Sequence, residues 1–79
     1  MIANYAEVKI SRTDGRSWDL VAIERGLTAA TNARSIARDM TTRPAMDYVE
    51  VVLQNREGAN TTESHTYRWT RRNGWTTVS

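Results

Sequence analysis

The chain contains no cysteine. Disulfide staples and thiolate metal sites are therefore excluded, and the redox compartment is left open. No apolar stretch approaches the length needed to span a membrane. The first residues, MIANYAEVKISR, lack a basic start followed by an apolar run, so no secretory leader is expected and a cytoplasmic protein, in a bacterial host, is the expectation. Glycine is sparse: Gly15, Gly26, Gly58 and Gly74 all fall in turn positions, and none forms a phosphate-cradling motif. His65 is the only histidine, with no cysteine or pair of carboxylates beside it, which argues against a metal site. Glu63 is its near neighbour, but nothing in the sequence supplies a nucleophile, an oxyanion hole or a pocket. Catalysis is not expected, and no cofactor is expected.

What is present fits one small folded domain, residues 1–79, with 39% hydrophobic and 25% charged residues. The net charge is only +2, but its distribution is uneven. Residues 1–63 sum to −1, whereas residues 64–79 hold Arg68, Arg71 and Arg72 and no acid. Ten of the eleven basic residues are arginine, a planar donor fork suited to carboxylate, phosphate and ring faces.

Tyr5 to Arg12 alternates Ala6, Val8 and Ile10 with Glu7, Lys9 and Ser11, the period-two pattern of a half-buried strand. Asp14-Gly15 signals a hairpin turn, and Ser17 to Glu24 reads as the returning strand. Its register stays open. A two-residue turn sets Val21 and Ile23 beside Val8 and Ala6, with Trp18 and Leu20 on the other face; a bulged turn reverses this. Thr28 is placed to cap a helix. Ala30, Ala33, Ile36, Ala37 and Met40 then form one stripe, and Pro44 sets the helix end near Thr41. Asp47 to Gln54 is a strand with Val49, Val51 and Leu53 on one face. NREGANTTES reads as a loop or wide turn, His65 to Arg72 as a further strand, and Trp75 to Val78 as a short fifth. The expected fold is α+β, in the order β-β-α-β-β with a fifth strand possible, as one antiparallel sheet of four or five strands carrying a single helix on one face.

If Asn73-Gly74 is a two-residue turn, Arg72 lies opposite Trp75. Trp69 and Tyr67 then face the helix, and Arg68, Arg72 and Trp75 share the uncovered face. This tryptophan between two arginines is the candidate binding site, since these residue types dominate binding hot spots. The competing reading is a cross-strand cation–π arrangement that only shields the ring. Arg34 and Arg38, one helical turn apart, are a second candidate patch, against the alternative of a solvated helix face. Trp18 and Arg71 complete the partner-binding candidates.

The segments GRSWDLVAIERGLTAATNARSIARDMTTRP, DYVEVVLQ and TYRWTRR together resemble small proteins of bacteria and their phages: a hairpin, an alanine–arginine helix, then YVEVV and YRW strands. In size and in its two-hairpin-plus-helix plan the chain is similar to several anti-CRISPR proteins. The resemblance implies a non-enzymatic inhibitor that binds a CRISPR effector complex and interferes with target DNA. Many such proteins are acidic DNA mimics, whereas this chain is mildly basic, so whole-surface mimicry is not implied. Two other functions fit the same residues: a nucleic-acid-binding module stacking bases on an open sheet face, and a protein that self-associates through an unpaired edge.

Overall fold

A computed structural model describes residues 2–12 and 16–79. The elements are β1 (Tyr5–Ser11), β2 (Asp19–Arg25), α1 (Ala29–Thr41), β3 (Tyr48–Glu57), β4 (Asn60–Thr70) and β5 (Gly74–Thr77). All strand pairs are antiparallel, and the sheet order is β2-β1-β3-β4-β5. The α+β architecture read from the sequence is therefore present, with the fifth strand formed. The expected turn at Asp14-Gly15 lies outside the described residues.

Alternation dictates the core. Ala6, Val8 and Ile10 of β1 pair with Leu53, Val51 and Val49 of β3, so the apolar sets of two adjacent central strands face the same side. There they meet Ala29, Ala33 and Ala37, the buried face of α1. Alanine at these positions removes the side-chain layer that would hold the helix away from the sheet. Ala30, Ile36 and Met40 flank this contact, partly buried. Thr28 does precede the helix, but its hydroxyl makes no capping bond to the backbone. It accepts instead from the Asn32 side-chain amide, at 3.2 Å.

The first hairpin follows neither of the two simple registers. Ala22 and Glu24 stand opposite Val8 and Ala6, and a shift then places Leu20 opposite Lys9. This bulge at Val21 puts Leu20 and Ile23 on the same, uncovered face. The second hairpin is longer than the sequence suggests. The stretch read as a loop or wide turn, NREGANTTES, continues β3 to Glu57 and β4 back from Asn60, so the turn is confined to Gly58-Ala59. Asn4 fixes the base of this extension. Its amide donates to the Arg56 carbonyl at 2.7 Å and accepts from the Arg56 N–H at 2.8 Å, imitating one more pair of strand bonds.

The turn between β4 and β5 corrects a central expectation. Thr70 pairs with Gly74 and Trp69 with Trp75, leaving Arg71, Arg72 and Asn73 as a three-residue turn. The Asn73 N–H donates to the Thr70 carbonyl at 3.3 Å. Gly74 follows in the left-handed region, at φ 72°. This is a hairpin with a turn followed by a left-handed glycine, rather than the two-residue turn that Asn-Gly also allows. The one-residue difference exchanges faces. Trp75 therefore lies on the helix side with Trp69 and Tyr67, and not beside Arg68 on the uncovered face.

The helix cannot cover that whole side. Five strands spaced at about 4.8 Å span nearly 20 Å, whereas a helix is about 10 Å across. It packs chiefly on β1, β2 and β3, leaving the helix side of β4 and β5 unroofed. Among the described residues no helix is long and apolar enough to cross a membrane.

Candidate functional site

The uncovered sheet face does not present free cations around a tryptophan. Arg68 donates from Nε (3.1 Å) and Nη2 (2.8 Å) to a single oxygen of Glu50, its cross-strand neighbour. Its guanidinium also lies 5.2 Å from the Trp18 ring, and Trp18 meets Tyr48 edge-on, with ring centroids 6.3 Å apart. Further along the same face, the Arg56 guanidinium stacks 3.4 Å from the Tyr5 ring centre, with Arg25 at 5.7 Å. The Tyr5 hydroxyl donates to Glu7 at 2.6 Å. That bond, burial and the Glu7 charge raise the tyrosine pKa above its ordinary value. This face is a lattice in which each arginine named is already occupied. Val52, buried within it, is shielded by the long side chains around it.

Arg71 has a structural task. Its guanidinium donates to Asp47 and to the carbonyls of Arg43, Pro44 and Met46, and lies 5.4 Å from the Trp69 ring. It ties the β4–β5 turn to the segment between α1 and β3. Arg72 is exposed in the turn.

The residues that do converge are Arg34, Arg38 and Trp75. They line a trough of about 370 Å³ between α1 and β5, floored by Val51, Leu53 and Tyr67 and walled on the helix side by Ala37. A second hollow of about 280 Å³ continues it past Arg34 and Tyr67 to Ala3, Ala30, His65 and Glu63. Each side chain is there for a local reason. Arg34 and Arg38 are four residues apart, hence stacked on one side of the helix. Tyr67 and Leu53 share a face by strand alternation, and Trp75 joins them through the three-residue turn. The indole remains 47% exposed. Among the described residues, no ion pair or hydrogen bond engages either guanidinium of the rim. In contrast, Lys9, Arg43, Arg68 and Arg71 are each paired to an acid. At the far end, His65 Nε2 stands 2.8 Å from Glu63.

Of the seven residues singled out in the sequence, the fold thus gathers Arg34, Arg38 and Trp75 at the trough, sets Arg68 against Trp18 on the opposite sheet face, and leaves Arg71 and Arg72 in the β4–β5 turn. The floor residues Tyr67, Val51 and Leu53 were legible only as core; their role as the base of an open trough depends on how far the helix reaches. Among the described residues no group of three His, Asp or Glu side chains is placed to hold a metal ion. No protein-family model, curated protein or solved structure matches the chain.

Proposed function

We propose that this chain is a non-enzymatic binding protein whose partner is another protein, acting as an inhibitor of the anti-CRISPR type that occupies a CRISPR effector complex and blocks its target DNA. The observation that carries the binding reading is the trough: a half-exposed indole beside two guanidinium groups that the fold leaves without acids. Desolvated arginine and tryptophan are the side chains that most often dominate binding energy. The inhibitor assignment adds the resemblance in size and plan.

The test is direct. The purified chain is mixed with type I and type II effector complexes, and both complex formation and target-DNA binding are measured. Co-migration with one complex and loss of its DNA binding are expected. Failure to bind any of them, with DNA binding unchanged, overturns the assignment.

One observation favours a second reading. β2 is an edge strand whose Leu20, Val21 and Ile23 are exposed, and such an edge invites pairing with a second copy. The bulge at Val21 works against it by disturbing the ladder. Sedimentation at high concentration decides: a strict monomer removes this reading and leaves the first intact.

A further inference from the structure

Resting on the protein-binding reading, we infer that the trough between α1 and β5 takes an extended segment of the partner in which acidic and apolar residues alternate. The acidic side chains face Arg34 and Arg38; the apolar ones face Trp75 and Tyr67.

The spacing supports this. Side chains four apart on a helix have Cβ atoms about 5–6 Å apart, and alternate side chains on an extended strand repeat every 6.6–6.8 Å, about the same interval. Two carboxylates on one side of a strand therefore match two guanidinium groups on one side of a helix. Each can form the paired hydrogen bonds that favour arginine over lysine at such sites. The residues between them project to the other side of the strand, where Trp75 stands beside the Tyr67 floor. The long direction also agrees, because the trough continues along the helix from Arg38 past Arg34 toward Ala30.

Charge decides against a nucleic-acid occupant. A phosphate track needs several clustered free cations. Here the rim offers two, Arg71 of the adjoining turn is paired to Asp47, Arg68 lies on the opposite sheet face paired to Glu50, and Glu63 places a carboxylate at the end of the groove. A peptide that supplies two carboxylates and otherwise apolar contact meets this charge pattern; a continuous polyanion does not.

The experiment uses the full chain, labelled with nitrogen-15, and three probes at one salt concentration. These are a synthetic decapeptide alternating glutamate with leucine and valine, its counterpart with glutamine for glutamate, and a ten-nucleotide oligothymidylate. The acidic peptide is expected to shift the Trp75 indole N–H and the Arg34 and Arg38 Nε–H signals. Its affinity is expected to exceed that of the glutamine peptide about tenfold, the scale of losing charge-assisted bonds. The double variant R34A/R38A, both exposed sites, should lose a similar factor, and Arg72→Ala should lose none. Equal binding of the glutamine peptide, tighter binding of the oligothymidylate, shifts centred on Trp18, or no shift at all overturns the inference. Effector binding distinguishes the trough assignment from the inhibitor reading. If the double variant still binds an effector complex as the parent does, the trough assignment falls and the inhibitor reading stands. If the acidic peptide binds as described and no effector complex does, the inhibitor reading alone falls.

Discussion

Replacing Ala33 with leucine tests how closely the helix is seated. Ala33 is fully buried in the contact between α1 and the central strands, with Ala29 and Ala37 one turn to either side. Leucine and alanine have similar helix propensities, so the intrinsic stability of the helix hardly changes. The cost arises from three extra heavy atoms at a position with no exposed surface. Overpacking a well-filled core costs about 1–3 kcal/mol. For a domain of this size each kcal/mol lowers Tm by roughly 4–8 °C, so a fall of about 5–20 °C is expected by calorimetry or circular dichroism. The matched control is Ser35→Leu, on the exposed side of the same helix, which should change Tm little. Should Ala33→Leu leave Tm unchanged or raise it, a void must lie beneath the helix and the close seating is wrong. The trough would then be wrong too, because its helix wall depends on that seating.

Further outcomes follow from particular contacts. Gly74→Ala meets no atom within 4 Å, so its cost is backbone strain at positive φ alone, about 1–2 kcal/mol. Asn73→Ala should be nearly neutral, because no non-glycine residue among those described has positive φ; a comparable loss in denaturant midpoint at both positions would instead indicate the two-residue turn. Asn4→Ala removes both bonds to the Arg56 backbone and should cost about 1–3 kcal/mol, with faster hydrogen exchange at the Arg56 amide as the local readout. Tyr5 gives a pH test. Its hydrogen bond to Glu7, its burial and the Glu7 charge raise its pKa above the ordinary 10.0. The folded state holds this proton more tightly than the unfolded one. The associated stability is therefore full below pH 10 and is lost as pH rises through the folded-state value. Tyr5→Phe should be less stable than the parent at neutral pH and show a shallower loss of Tm above pH 10. An unchanged slope in the variant would contradict the assignment.

The central ladder was legible because both its strands alternate. Val49, Val51 and Leu53, like Ala6, Val8 and Ile10, make one face apolar throughout, and that face takes the helix. The helix was legible for the corresponding reason at period 3.6. The outer half of the β3–β4 hairpin was not. Asn55 to Ser64 is polar on both faces because both are wet, so no alternation distinguishes this strand from a loop; its pairing is fixed by cross-strand bonds and by Asn4, fifty-two positions from Arg56 in sequence.

Sequence alone determined the layers of this protein: the apolar faces of β1 and β3, where the helix starts and stops, and that one antiparallel sheet carries it. The placement of Trp75 was decided only by tertiary structure. Asn73-Gly74 is compatible with a two-residue and a three-residue turn, and the choice exchanges the faces of every residue in β5. The observed turn is the one that lets Arg71 leave the strand and reach Asp47 and the carbonyls of the α1–β3 connection. The width of one helix against five strands then leaves the indole uncovered, beside two arginines that local sequence placed on the helix but gave no reason to set around a tryptophan.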